Sequence, residues 1–115
     1  MKAKKVNISP EILGSYDKLI SNYPGLERKG ANMPYTSLNG HMFSFLDAKG
    51  NFNLRLPEKE REYFIEQYKT TLSVQHGVVM KEYVLVPTEL LKKTSSLKKY
   101  FDQSYNYAKS LKPKN

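Results

Sequence analysis

The chain has 115 residues, 26% of them charged and 39% hydrophobic, with nineteen Lys and Arg against eleven Asp and Glu and no cysteine. That length suits one domain with its own core, and the composition is that of a globular protein rather than a disordered segment. The missing cysteine removes disulfides, thiolate nucleophiles and sulfur-ligated metals, and no apolar run approaches the roughly 20 residues that span a bilayer.

Met1 to Ser9 carries lysines but no apolar run of its own, so no secretory signal is expected and the predicted address is cytoplasmic. Ser9-Pro10-Glu11 is a helix start: a hydroxyl cap, proline at the first helical position and an acid facing the positive helix end. Ile8, Ile12, Leu13, Tyr16, Leu19, Ile20 and Tyr23 recur at helical spacing, which predicts a first helix from Pro10 to about Asn22. Gly14 weakens its interior and Pro24-Gly25 ends it. Leu26 to Asn32 is a charged connector.

Met33 to Leu56 reads as three consecutive antiparallel strands joined by two tight turns. Asn39-Gly40 is the strongest short-range hairpin signal, because both residues tolerate positive φ. Asp47-Ala48-Lys49-Gly50 suits a type I turn or a four-residue loop. Pro34 lacks an N–H, so the first strand is an edge strand or begins after it. His41 to Leu46 and Asn51 to Leu56 are the second and third strands; Phe52, Leu54 and Leu56 alternate with Asn51, Asn53 and Arg55.

Pro57 opens a second helix with acids in its first turn and a stripe of Phe64, Ile65, Tyr68 and Leu72. A short strand lies near Leu72 to Gln75, and Gly77 separates it from Val78 to Val86, the richest β-former in the chain. Tyr83 to Val86 is continuously apolar, as in a strand buried on both faces, or buried on one face and in an interface on the other. Pro87 to Leu91 predicts a single helical turn. A last helix follows from about Ser96 to Ser110, with a stripe of Leu97, Tyr100, Phe101, Ser104, Tyr107, Ala108 and Leu111. The predicted element order is α-β-β-β-α-β-β-α in one domain over residues 1–115, with 1–8 and 112–115 as flexible ends. Three striped helices roof the water-shy face of the sheet.

The net charge of +8 sits at the two ends of the sequence. Residues 1–5 carry +3 from Lys2, Lys4 and Lys5, and residues 92–115 carry +6 from seven lysines against Asp102. Only Arg28, Arg55 and Arg61 are arginine, whereas readers of bases and phosphates favour the arginine fork. Lysine-rich ends fit solubility, or weak and salt-sensitive binding.

No reactive constellation stands out. His41 and His76 have no partner at metal-ligand spacing, no serine sits in a Gly-x-Ser-x-Gly elbow, and the glycines are dispersed at turns instead of forming a phosphate loop. The expectation is a protein that is not an enzyme, with no catalytic, cofactor-binding or metal site. The nine tyrosines are the unusual feature. Tyr16, Tyr23, Tyr68 and Tyr100 lie on core stripes, Tyr63 and Tyr105 fall off them, and Tyr107 stands at the margin of the last one. Tyr83 and Leu85, with Lys98, Lys99, Tyr105 and Lys109, make the candidate interaction surface; snorkelled lysines over a packed helix are the structural alternative.

Leu38-Asn39-Gly40-His41-Met42-Phe43, Leu54-Arg55-Leu56-Pro57-Glu58-Lys59-Glu60-Arg61-Glu62, Val79-Met80-Lys81-Glu82-Tyr83-Val84-Leu85-Val86-Pro87 and Tyr107-Ala108-Lys109-Ser110-Leu111-Lys112-Pro113-Lys114 resemble the TfoX (Sxy) N-terminal-domain family over residues 27–114. Where family members carry Met-Phe-Gly-Gly before the first strand, this chain reads Gly30-Ala31-Asn32-Met33. The resemblance implies a two-layer α+β fold, an antiparallel sheet of about five strands with three helices on one face, similar to the secretion-chaperone-like architecture. It implies no catalytic residues, and a regulatory or protein-interaction role for a bacterial protein. The leading expectation is a module acting through a protein partner or a second copy of itself, as a homodimer, with no membrane partner. The alternative is a nucleic-acid-binding accessory using the lysine-rich ends. A small molecule held between sheet and helices is the least supported partner, and would need a hollow lined by Tyr and Phe.

Overall fold

The computed structural model describes residues 8–30 and 33–113. Ser9 caps the first helix: its side-chain oxygen accepts a hydrogen bond from the Ile12 N–H at 3.1 Å. The helix, α1, spans Pro10–Ile20 and buries Tyr16, Leu19 and Ile20. It stops short of the expected Asn22, where the Asn22 side-chain amide turns back to donate to the Lys18 and Leu19 carbonyls.

The meander forms as the sequence requires, with β1 at Tyr35–Leu38, β2 at His41–Leu46 and β3 at Phe52–Arg55. Asn39 and Gly40 take φ of 56° and 81°, the left-handed pair that a two-residue hairpin needs. In the second turn the Asp47 carboxylate accepts hydrogen bonds from the backbone of Lys49 and Asn51, at 3.0 and 2.9 Å. β1 starts just past Pro34 and lies on the sheet edge, where Lys29 exchanges backbone hydrogen bonds with Tyr35 at 2.8 and 2.9 Å. Thr36 faces Ser44 while Ser37 faces Met42, so Phe43 is the unopposed residue of a bulge. The bulge turns both Phe43 and Ser44 toward the helices. Phe43 joins the core there, and the Ser44 hydroxyl hydrogen-bonds Tyr16 and Thr36 at 2.6 and 2.5 Å.

The second helix, α2, spans Glu58–Tyr68. Its stripe ends earlier than the sequence pattern implies, because Lys69 adopts φ 55° and unwinds the chain. Leu72 therefore opens strand β4, Leu72–Gln75, instead of extending the helix. β5 follows at Val78–Val86. The five strands are antiparallel in the order β1-β2-β3-β5-β4. The expected single turn becomes a short helix, α3, at Thr88–Lys92 with Leu90 and Leu91 buried. The last helix, α4, runs over Thr94–Ser110. Among the described residues four helices thus stand where three were expected, because Lys93, at φ −101° and ψ 70°, breaks the helical path between α3 and α4.

The α+β class and the antiparallel sheet hold. Phe43, Leu46, Phe52, Leu54, Val84 and Val86 present one sheet face to Tyr16, Leu19, Phe64, Leu91, Leu97 and Phe101 of the helices, in a single core cluster. Phe101 and Tyr105 lie 5.5 and 6.0 Å from the Phe43 ring, so the Phe43 bulge is the socket on which α4 sits. Tyr105, which the stripe pattern leaves on the surface, also lies 4.7 Å from Tyr23 and packs against the core.

Candidate functional site

Register places Tyr35, Phe45, Asn53, Tyr83 and Leu85 on the sheet face turned away from the helices. An uncovered face should be wet, yet Phe45, Asn53 and Tyr83 are buried, at 4%, 0% and 9% exposure. The cover comes from the chain itself. β5 forks: Tyr83–Val86 pairs with β3, while Val78–Met80 pairs with Ser73–Gln75 of β4. Leu72 faces Val84 but Ser73 faces Met80, so Lys81, Glu82 and Tyr83 are left unopposed and the ladder breaks there. Beyond the break, the two-stranded tip leans back across the second face. The buried Ser73 hydroxyl donates to the Asn53 side-chain oxygen at 2.5 Å, and the Gln75 amide donates to the Asp47 carboxylate at 3.3 Å.

Between this tip and the β1–β2 edge lies an apolar groove of about 330 Å³, lined by Met33, Tyr35, Met42, Phe45, Gln75, His76 and Met80. Methionine suits such a wall: its unbranched, polarisable side chain refits itself to what it touches. Tyr83 forms the groove's deep support, donating its hydroxyl to the Met42 carbonyl at 2.6 Å and meeting the Phe45 ring edge-on at 5.6 Å. Burial pushes the Tyr83 hydroxyl's pKa up, so the ring stays neutral. Beside the groove the tip carries Val74, Val78 and Val79, which are 55%, 64% and 49% exposed. Met33 on the opposite bank is 39% exposed.

At the other end of the face, Arg55 anchors β5 to α4. Its guanidinium reaches the Glu82 carboxylate at 2.6 and 2.7 Å, and Tyr107 donates its hydroxyl to the same carboxylate at 3.2 Å. The guanidinium also lies 5.9 and 5.6 Å from the rings of Tyr83 and Tyr107. Burial pushes the Glu82 carboxyl up, but Arg55 and the Tyr107 hydroxyl outweigh it and hold the group below its ordinary value.

The six residues read from the sequence as one interaction surface do not form one. Tyr83 is turned under the hairpin and Leu85 is half-buried on the same second face. Lys98, Lys99, Tyr105 and Lys109 belong to α4, on the other layer. Lys98 contacts Asp102 at 3.1 Å and lies 5.6 Å from the Tyr23 ring, and Tyr23 in turn hydrogen-bonds Asp102. Tyr105 is packed inward, which leaves Lys99 and Lys109 as the exposed members. His41 is taken up by the Lys112 carbonyl at 2.6 Å, and His76 stands exposed at the hairpin turn. Among the described residues no three His, Asp or Glu side chains gather to hold a metal ion, and no helix is long and apolar enough to cross a membrane.

Compared with family models, curated proteins and solved structures, the chain matches none.

What sequence reasoning missed is the groove, and a signal for it existed. Residues 30–46 and 70–80 contain no Asp, Glu, Lys or Arg, and they are the two longest such runs in the chain. Every residue lining the groove comes from one of these two runs. Three of the four methionines are there. The fold brings two neutral segments, far apart in sequence, to face each other.

The lysines gather elsewhere. Lys18, Lys92, Lys93 and Lys98 line a hollow of about 580 Å³ between the end of α1 and the start of α4, together with Ser21, Asn22, Thr94, Ser95 and Ser96. Lys92 also reaches Glu11 at 3.6 Å. Lys2, Lys4, Lys5 and Lys114 lie outside the described residues.

Proposed function

We infer that the protein is a small, non-enzymatic interaction module that works by docking another polypeptide on the second face of its sheet. One observation carries the reading: a methionine-lined groove whose lining has no Lys, Arg, Asp or Glu, in a chain that is otherwise densely charged, next to a hairpin tip with three exposed valines. Exposed apolar surface of this kind costs solubility and is characteristic of interaction sites. The resemblance to the TfoX N-terminal-domain family agrees with a regulatory role carried out by contacts, in the cytoplasm of a bacterium. The test is affinity capture from native lysate with and without nuclease. Retention of a protein after nuclease treatment, and its loss in a Met33→Glu variant, supports the reading; no difference between variant and wild type counts against it.

A second reading, a nucleic-acid-binding accessory, is favoured by the hollow that gathers Lys18, Lys92, Lys93 and Lys98 with no acid in its lining. It requires retardation of DNA or RNA that weakens steeply with salt and is relieved by Lys93→Glu. Absence of any retardation at low salt removes it.

A further inference from the structure

Lys18, Lys92, Lys93 and Lys98 come from two distant parts of the chain and meet around one hollow of about 580 Å³. Every other residue of its lining is a small polar one, and none is apolar, aromatic or acidic. An apolar ligand finds nothing there to cover, and a cationic one meets like charge.

The lysine charge is only partly neutralised by the protein. Lys92 reaches Glu11 at 3.6 Å and Lys98 reaches Asp102 at 3.1 Å, whereas among the described residues Lys18 and Lys93 pair with no carboxylate. Asp17, beside Lys18 in the chain, is held by Arg28 at 3.0 Å. The backbone favours an anion as well. The Lys18 carbonyl at the end of α1 is occupied, accepting from the Ser21 hydroxyl at 2.8 Å and the Asn22 amide at 3.4 Å. On the opposite wall α4 starts from Lys93, whose side chain has no oxygen to offer the first amides of the helix. Thr94 and Ser95, at the two first helical positions, line the hollow, and the helix end adds its partial positive charge to that of the lysines.

Size and composition then select among anions. A hollow of this volume falls within the range of roughly 300–1,000 Å³ that holds ligands well above the size of a single phosphate. A nucleic-acid strand fits less well, because it is held on aromatic platforms and read by arginine forks, and the lining has neither. Lysine instead binds phosphate as a point charge without fixed direction. We propose that the hollow between α1 and α4 binds a compact ligand with at least two linked phosphates, inorganic polyphosphate or the phosphate chain of a nucleotide, gripped by the four lysines without contact to a base. This goes beyond the contact-module reading, whose groove shares no residue with the hollow, and it sets a compact ligand where the second reading sets a strand.

Isothermal titration at low ionic strength tests it, with sodium tripolyphosphate, ATP, AMP and a thymidine oligonucleotide of about 15 nucleotides, each to about 1 mM. Tripolyphosphate and ATP bind within about threefold of each other, AMP binds at least tenfold more weakly, and added salt weakens all of them. Lys93→Glu and Lys18→Glu each weaken tripolyphosphate at least tenfold. Both residues are exposed, so the variants keep their fold, checked by an unchanged circular dichroism spectrum. Lys109→Glu makes the same charge change in the last turn of α4 and alters the affinity less than twofold. Absence of tripolyphosphate binding overturns the proposal, as does a loss with Lys109→Glu equal to that with Lys93→Glu, or a preference for ATP above tenfold. An oligonucleotide that binds more tightly than tripolyphosphate and is released by Lys93→Glu overturns the compact ligand in favour of the strand. Each of these failures leaves the contact-module reading standing, since Met33→Glu tests that on a separate surface.

Discussion

Replacing Ser73 by Ala tests whether the β4–β5 tip is folded across the second face in solution. The Ser73 hydroxyl is 1% exposed and donates to the Asn53 side-chain oxygen, itself in a residue with no exposure. Alanine removes the donor without opening a cavity larger than one oxygen. The Asn53 oxygen then stays buried without a partner, while its amide remains satisfied by the Asn51 carbonyl at 3.0 Å. Leaving such an acceptor orphaned costs about 1–3 kcal/mol. For a domain of this size, 2 kcal/mol is roughly 8 °C in Tm. Urea unfolding followed by circular dichroism supplies the free energy. Amide exchange supplies the location: protection should fall across residues 73–80 more than in β2 and β3. The double variant Ser73→Ala with Asn53→Leu should cost less than the two single variants added together, because both members of the pair are then apolar. A Ser73→Ala cost below about 0.5 kcal/mol, with exchange at 73–80 unchanged, refutes the buried hairpin and with it the closed floor of the groove.

Three further outcomes follow from the same structure. Glu82→Gln should flatten the acid limb of the stability curve: the Glu82 carboxyl is held below its ordinary value, so its contribution is present above the unfolded carboxyl pKa and lost as pH falls through the lower folded one; the change near neutral pH is about 1 kcal/mol, since the side chain is 40% exposed. Tyr16, Tyr23, Tyr83, Tyr100 and Tyr107 are all pushed up by burial, Tyr100 to about 12. Below a pH of about 10 they are neutral in both states, and above it the unfolded chain ionises first, so Tm should fall with rising pH and fall less steeply in Tyr16→Phe. Gly14→Ala and Gly30→Ala should move stability in opposite directions. A Cβ at Gly14 meets nothing within 4 Å in a helix and gains about 0.5–1 kcal/mol. One at Gly30, where φ is +86°, lies 2.4 Å from the Met33 carbonyl oxygen and costs more than about 1 kcal/mol, as thermal denaturation will read.

Local chemistry made most elements legible. Ser9-Pro10 marked the helix start, Pro34 marked an edge, and Asn39-Gly40 fixed the first turn, each through a constraint that one or two residues impose on their own backbone. The second and fifth strands, His41–Leu46 and Val78–Val86, run where their turn residues and Pro87 place them. Periodicity was less dependable at element ends. It carried the stripe of α2 on to Leu72, where the left-handed Lys69 decided otherwise. It also left Tyr105 outside the core, although the Phe43 bulge draws α4 close enough to enclose that ring.

The sequence by itself determined the strand pairing of the meander, the element order up to the break that separates α3 from α4, and the absence of charge from two long stretches, because turn geometry and alternation act between near neighbours. The face on which those stretches meet was decided by the tertiary structure alone. The continuous apolar run Tyr83–Val86 admitted burial on both sides but not what would bury it. That depends on the ladder break at residues 81–83, which swings the tip over Phe45 and Asn53 through bonds between residues 20 and 28 apart in sequence. Closing loops of that length is a matter of packing and chain entropy, to which no local pattern gives access.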